Sequence, residues 1–144
     1  MVYIDADGCP VTKIAVEICR KLCKEVTLVF DTSHAFSDEY AKTIMVDKGS
    51  DSADMKIASV VQKNDIVITQ DYGLAAMCLA KGCICLSQDG MIYDESNMDS
   101  LLMSRYIAKK IRNSGGRLKG PHKRSNEQDK HFRDAFINIL NEKR

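Results

Sequence analysis

The sequence predicts an α/β fold with a mainly parallel sheet of about five strands, helices on both faces and a C-terminal helical extension. Two observations predict it. Five short apolar runs are each typical of a buried strand. Between most of these runs the apolar residues recur at helical spacing. Strands that alternate with helices favour βαβ units, and such units build a parallel sheet between layers of helices.

The five predicted strands follow one another along the first 86 residues, at 2–4, 26–30, 43–46, 66–69 and 83–86. The second is rich in β-branched and aromatic residues, which favour strands. A polar loop separates the second strand from the third, and Gly49 interrupts the chain after the third. The spacing therefore leaves room for a helix after the first, third and fourth strands.

Stripes of apolar residues predict those helices. After Pro10, which suits the first turn of a helix, one stripe consists of Val11, Ile14, Ala15, Ile18, Cys19 and Leu22. The second consists of Asp54, Ile57, Ala58 and Val61, and the third of Leu74, Ala75, Cys78 and Leu79. Gly82 is predicted to end the third helix at its C′ position.

Two further helices are predicted after the last strand. Ser96 and Asp99 are expected to be the N-cap of a basic helix and its partner at N3. A linker rich in glycine, lysine and arginine follows that helix, and the last helix covers about 126–142. Phe132, Phe136, Ile139 and Leu140 share one face of it and are predicted to be core residues.

A chain of 144 residues is expected to form one domain with a sizeable core. We predict an α/β core at 1–114, with a basic linker and C-terminal helix at 115–144 in the same domain. No apolar run approaches the length of about 18 residues that a membrane span requires. The N-terminus has no basic segment typical of a signal peptide. These features predict a cytoplasmic protein without membrane contact, and they leave open whether it forms a homo-oligomer.

The six cysteines do not have the spacing of a zinc ribbon or a zinc finger. Four of them lie within apolar patterns, where a thiol behaves as a small hydrophobic group. We therefore predict buried free thiols at Cys19, Cys78, Cys83 and Cys85.

The formal net charge of +1 hides an uneven distribution of charge. Residues 1–104 contain 16 acidic and 9 basic residues, whereas residues 105–144 contain 12 basic and 4 acidic ones. This division favours an acidic site together with a basic segment for a polyanion. A solvated helical surface is the alternative explanation of the basic segment.

Aspartates recur where the predicted strands end. Asp5 and Asp7 follow the first strand, and Asp31, Asp47 and Asp71 follow the next three. Ligands of open α/β sheets bind beyond these carboxyl ends. Asp54 continues a buried helical stripe, so its carboxylate is expected to need a partner. A divalent cation would suit converging carboxylates, and oxygen ligands favour Mg²⁺ or Mn²⁺. Helix-capping and surface aspartates are the structural alternative.

The opening stretch "YIDADG" resembles the first motif of haloacid-dehalogenase-type phosphatases. That resemblance implies that Asp5 is a nucleophile and Asp7 a general acid/base, with Thr69 in the place of the second motif. Cys9 and Pro10 depart from that family's pattern.

A second resemblance covers essentially residues 1–140. The segments "VYIDADGCPV", "VDKGSDSADMKI", "DIVITQDYGLAAMCLAKG" and "GGRLKGP" closely resemble the YaiI/YqxD family of uncharacterised bacterial proteins, which is related to PIN domains. The resemblance implies a PIN-like three-layer α/β/α sandwich. It also implies that Asp5, Asp54 and Asp71 are metal ligands and catalytic residues, with Asp7 and Asp51 as additional members. Thr69 is expected to contact a ligand carboxylate, a water or the substrate.

We therefore predict a Mg²⁺- or Mn²⁺-dependent nuclease that hydrolyses phosphodiester bonds, with RNA as the expected substrate. Lys119, Lys123 and Arg124, around Gly120 and Pro121, are predicted to bind the nucleic-acid backbone. Ser125 and Asp129 are expected to fix the start of the last helix. Two alternatives stay open: a small-molecule phosphatase with Asp5 as nucleophile, and a nucleic-acid-binding protein without catalytic activity.

Overall fold

The computed structural model of the chain describes residues 1–32, 37–48, 52–113, 115 and 124–142, which contain five strands and five helices. The strands are β1 (Val2–Asp5), β2 (Val26–Asp31), β3 (Lys42–Val46), β4 (Ile66–Ile68) and β5 (Ile84–Leu86). The helices are α1 (Thr12–Lys21), α2 (Ser52–Val60), α3 (Tyr72–Ala80), α4 (Glu95–Asn113) and α5 (Asn126–Glu142). The predicted α/β class and C-terminal helix are confirmed.

All five strands are parallel, in the order β3-β2-β1-β4-β5. The chain first builds the sheet outward from β1 to β3 and then returns to add β4 on the other side of β1. In the register, Ile4 lies between Leu28 of β2 and Ile68 of β4. The strand order reverses between β1 and β4, and that switch point is where open α/β sheets bind ligands.

Helices cover both faces of the sheet, which confirms the predicted three-layer α/β/α sandwich. On one face α1 and α5 pack together, with Phe132 and Phe136 of α5 fully buried against Ile4 and Leu28. On the other face α2 and α3 pack against Val29 and other strand residues, and α4 packs on α3. Because side chains alternate along a strand, Tyr3 belongs to this second face.

Helix ends agree with the predictions at two places and disagree at one. Gly82 has φ +85° at the C′ position of α3. Ser125 and Gln128 form a reciprocal capping pair at the start of α5. The predicted cap of α4 at Ser96 is wrong, because α4 already begins at Glu95. Asp94 and Asn97 exchange backbone-to-side-chain hydrogen bonds of 2.8 Å there.

Two further predictions concern the cysteines and the absence of a membrane span. Cys19, Cys78, Cys83 and Cys85 are buried and free, as predicted. Within the described residues, no helix combines the length and the apolar character that crossing a membrane requires. Lys119 and Lys123 of the predicted basic linker lie outside the described residues, as does Asp51.

Candidate active site

The switch point brings Asp5 and Thr69 into contact although 64 positions separate them in the sequence. Asp5 is the last residue of β1, and Thr69 directly follows β4. The Thr69 hydroxyl donates a hydrogen bond of 3.0 Å to Oδ2 of Asp5. Thr69 is 1% exposed, so protein atoms rather than solvent fix this hydroxyl. The hydrogen bond orients the Asp5 carboxylate at the carboxyl edge of the sheet.

Asp71 is tied to the same threonine. Its backbone N–H donates a hydrogen bond of 3.0 Å to the Thr69 hydroxyl, whose proton is directed to Asp5. Asp71 is also the N-cap of α3, where its Oδ1 accepts a hydrogen bond of 3.1 Å from the N–H of Leu74. Asp71 therefore has the helix-capping role that the structural alternative expected, while its role as a metal ligand stays a prediction.

Asp7 approaches from the loop after β1. This loop turns at Gly8, whose φ of +68° lies in the left-handed region that glycine adopts readily. Asp7 Oδ2 accepts a hydrogen bond of 2.9 Å from the backbone N–H of Asp31, the last residue of β2. The side chain of Asp7 is thereby held over the ends of two adjacent strands.

The electrostatics of the cluster appear in the pKa of Asp5. Burial, together with the nearby charges of Asp71 and Asp7, raises the pKa of the Asp5 carboxyl from 3.8 to about 6. The hydrogen bond from Thr69 acts in the opposite direction. In the part of the chain that the structure describes, no lysine or arginine pairs with Asp5. Near neutral pH the carboxyl is therefore poised to bind either a proton or a cation.

A cleft of about 40 Å³ opens beside Asp5 and Asp7. Such a volume holds roughly three waters, or a cation with part of its hydration shell. The Gln88 backbone N–H donates a hydrogen bond of 2.7 Å to Oε1 of Gln70 and ties the loops after β4 and β5 together. The lining consists of Asp5, Asp7, Gly8, Cys9, Ile68, Thr69, Gln70 and Gln88.

A larger cleft, of about 190 Å³, lies at the opposite edge of the sheet beside Met1 and Leu140. Glu25 is the single carboxylate in its lining. This larger cleft therefore lacks the converging acidic groups that hydrolytic chemistry would use. We place the candidate active site in the smaller cleft.

The chemistry of the donors suits a hard cation. Carboxylate and hydroxyl oxygens are the ligands that Mg²⁺ and Mn²⁺ prefer, and Mg²⁺ commonly uses one or two carboxylates and keeps several waters. Asp5 with Asp71 fits that limited requirement. Across the described residues, however, no three or more acidic, histidine or cysteine side chains are arranged to hold a metal ion. The larger ligand set of Asp5, Asp54 and Asp71 stays a prediction.

Asp54 is half-buried in the first turn of α2. Because α2 connects the end of β3 to the start of β4, its N-terminus lies at the carboxyl edge of the sheet. Ala53 and Val46 belong to the same hydrophobic cluster, which places this turn beside the end of β3. Asp54 thus lies at the carboxyl edge of the sheet, where the predicted site is. Its role as a metal ligand stays a prediction.

Arg124 holds the start of α5 against the loop after β5. It donates hydrogen bonds of 2.8 Å to Asp89, 2.7 Å to Asp129 and 2.6 Å to the carbonyl oxygen of Gln88. Asp129 thus has the structural role expected from the sequence. The predicted contact of Arg124 with nucleic acid stays a prediction, and in the structure this guanidinium supports the loop that carries Gln88.

Sequence reasoning missed Gln70 and Gln88, although a signal was present. The strands β4 and β5 are each followed directly by a hydroxyl residue and Gln-Asp, as "TQD" at 69–71 and "SQD" at 87–89. Both repeats fold in the same way, because Asp89 N–H donates to the Ser87 hydroxyl at 3.2 Å as Asp71 N–H does to Thr69. The repeat places an amide side chain at the edge of two adjacent strands.

The fold and site together define a PIN-like α/β/α protein with an acidic cleft at the switch point of its sheet. The family model described as "Uncharacterized BCR, YaiI/YqxD family" matches residues 3–142. The chain belongs to this family.

Relatives named "UPF0178 protein" support the assignment. The one from Ruminiclostridium cellulolyticum is 46% identical over 136 residues, which cover 94% of this chain and 89% of the relative. The one from Exiguobacterium sibiricum is 42% identical over 142 residues, which cover 99% and 97%. The one from Oceanobacillus iheyensis is 44% identical, with coverage of 96% and 97%. No solved structure gives a significant match to this chain.

Proposed function

We propose that this protein is a Mg²⁺- or Mn²⁺-dependent nuclease that hydrolyses phosphodiester bonds of RNA in the cytoplasm. The observation that carries the proposal is the convergence of Asp5, Asp7 and Asp71 at the switch point between β1 and β4. Burial and, to a smaller extent, the charges of Asp71 and Asp7 raise the pKa of Asp5. A carboxylate cluster of this kind lowers its own free energy when it binds a divalent cation.

Each carboxylate has a position suited to this chemistry. Asp5 and Asp71 would hold the cation. The Thr69 hydroxyl links the two residues, because it donates to the Asp5 carboxylate and accepts from the N–H of Asp71. Asp7, fixed by the N–H of Asp31, would orient the attacking water. When bound, the cation supplies a Lewis acid that lowers the pKa of water and neutralises charge on the phosphate. Gln88 lies where a phosphate oxygen entering the cleft would meet it.

Substrate binding is assigned to the basic segment predicted from the sequence. Lys119 and Lys123 would contact the phosphate backbone, which provides affinity without sequence preference. Arg124 would contribute through its support of the Gln88 loop. Replacing both lysines by alanine should weaken RNA binding about equally for all sequences and reduce its dependence on salt. Lys63→Ala is the matched control, because Lys63 is exposed and precedes β4 at the opposite edge.

The test is a cleavage assay with the full chain on single-stranded RNA, double-stranded RNA and DNA, in Mn²⁺, Mg²⁺ or EDTA. We expect RNA cleavage that requires the cation, and a loss of at least roughly 100-fold in Asp5→Asn. Asp134→Asn makes the same chemical change on the exposed face of α5 and should cleave like the wild type. Equal cleavage by wild type and Asp5→Asn would refute the assignment.

The same preparations test the two alternatives. A phosphatase with Asp5 as nucleophile would form a trappable aspartyl-phosphate or a fluoroberyllate adduct at Asp5. A binding protein without catalytic activity would bind RNA in a salt-dependent manner, show no turnover with any divalent cation, and retain binding in an Asp5/Asp71 double variant. Either result would replace the nuclease proposal.

A further inference from the structure

Helix α4 has apolar side chains on two opposite faces. One face points to the core, because Met98 is buried in the cluster that α3 covers and the partly buried Leu101 packs against that cluster. The other exposes Met103 at 58%, Tyr106 at 55% and Ile107 at 50%. At about 100° per residue these three side chains fall within roughly 100° of one another, and Met103 lies about 160° from Leu101. A contiguous apolar stripe on an exposed helix is typical of an interaction surface.

Two exposed residues of opposite charge flank this stripe. Asp99 lies one turn before Met103, and Lys110 lies one turn after Tyr106. The ammonium of Lys110 lies 5.2 Å from the centre of the Tyr106 ring, so it covers the same face. The four residues at 99, 103, 106 and 110 follow one another at intervals of four, three and four, which is the spacing of a coiled-coil seam. We call them the α4 seam.

We propose that the α4 seam binds the α4 seam of a second copy of this chain, with the two helices antiparallel. Around a two-fold axis between Met103 and Tyr106, Met103 meets Tyr106 of the partner subunit. Asp99 then meets Lys110 of the partner subunit, and this contact occurs twice in the dimer. A parallel pair would instead place like charges opposite each other, which disfavours it.

The charges also argue for a second copy rather than a nucleic acid. Asp99 lies in the seam itself and would repel a phosphate backbone, whereas it complements Lys110 of the partner subunit. Since the buried face of α4 is opposite to the seam, the two α/β bodies would lie on the outer sides of the helix pair. This inference does not depend on the proposed nuclease activity.

One helix face is smaller than a standard interface of about 800 Å² per partner, so we expect a micromolar dimer rather than a nanomolar one. Sedimentation equilibrium of the full chain across a range of concentrations measures the dissociation constant of this dimer. Met103→Glu should leave a monomer where the wild type is dimeric. Met55→Glu is the matched control, because Met55 is 62% exposed on α2 and lies outside the seam.

Charge exchange tests the antiparallel register. Asp99→Lys and Lys110→Asp should each raise the dissociation constant roughly tenfold or more, since each creates two like-charge contacts per dimer. When the two variants are mixed, every seam contact again joins opposite charges, and the mixture should form a heterodimer. The double variant should form a homodimer for the same reason.

Four results would overturn the inference. The wild type could be a monomer at every concentration measured. A dimer could be unaffected by Met103→Glu. The mixture of Asp99→Lys and Lys110→Asp could remain monomeric. If Met103→Glu changed the affinity for RNA without changing the mass, the seam would be a nucleic-acid surface and the proposal would again fail.

Discussion

The buried carboxylate of Asp5 carries a cost in stability that one substitution can measure. Its pKa in the folded protein is about 6, against an ordinary value of 3.8, because burial and the charges of Asp71 and Asp7 outweigh the hydrogen bond from Thr69. At pH 8 the folded protein must hold a charge that the unfolded chain exposes to water. The difference between the two pKa values corresponds to about 3 kcal/mol.

Asp5→Asn removes this charge and keeps a side-chain oxygen that can accept the hydroxyl of Thr69. We expect the free energy of unfolding at pH 8 in EDTA to rise by up to about 3 kcal/mol, which is roughly 10 °C in Tm for a chain of this size. Below pH 3.8 the Asp5 carboxyl is protonated in both states, so the cost is absent. It grows as the pH rises to about 6 and is constant above that value.

The assay is urea unfolding of wild type and variant at pH 4 and pH 8. The pH-dependent part of the difference in unfolding free energy reports the cost of the charge. Asp134→Asn is the control, because that side chain is exposed on α5 and its charge is solvated in both states. The reasoning is refuted if Asp5→Asn is less stable than the wild type at pH 8, or if the difference is the same at both pH values.

Three further substitutions test the contacts around the site by chemical denaturation. Thr69→Val should destabilise the fold by about 1–3 kcal/mol, because Asp5 loses a buried donor; titration of Asp5 followed by NMR should show its pKa rising above about 6. Arg124→Met should cost about 1–3 kcal/mol and loosen the start of α5, which hydrogen exchange of that helix would detect. Gly90→Ala should be destabilising by about 1–3 kcal/mol, because a Cβ there would lie 2.6 Å from the carbonyl oxygen of His131 at a φ of +88°. An unchanged unfolding midpoint in any one of them would show that its contact is absent in solution.

The strands β2 and β4 could be predicted because their residues are buried on both faces of a parallel sheet. The run at 26–30 is buried throughout and apolar except for Thr27, so it stands out from the alternating pattern of a half-exposed strand. Helix ends were harder to predict where several residues could act as caps. Asp94 and Ser96 are both suitable N-caps, and only the position of β5 and the buried Tyr93 decides that α4 begins after Asp94.

The site could be predicted in part for a related reason. That the aspartates lie at the carboxyl ends of strands follows from the strand assignments alone. Which of them meet depends on strand order, and local sequence does not determine that β4 pairs with β1. The contact of Thr69 with Asp5 requires the pairing of β4 with β1. The hydrogen bond from the N–H of Asp31 to Asp7 requires the pairing of β2 with β1. They became visible only in the folded chain.

The cost at Asp5 and the proposed cation are linked quantitatively. A ligand that binds only the folded state stabilises it by about 2.7 kcal/mol at one hundred times its dissociation constant. This gain is close to the cost of about 3 kcal/mol for the ionised Asp5. Adding Mn²⁺ at pH 8 should therefore bring the wild type close to the stability of Asp5→Asn in EDTA, while the variant itself gains little.

The two measurements separate the electrostatic argument from the functional one. If Asp5→Asn stabilises the protein in EDTA but Mn²⁺ leaves the wild type unchanged, the cost of the Asp5 charge is real and the cation does not relieve it. The raised pKa would then favour a proton on Asp5 near pH 6, and general acid chemistry would become the better explanation of the cluster. If Mn²⁺ stabilises the wild type alone, Asp5 is a ligand whether or not RNA is the substrate.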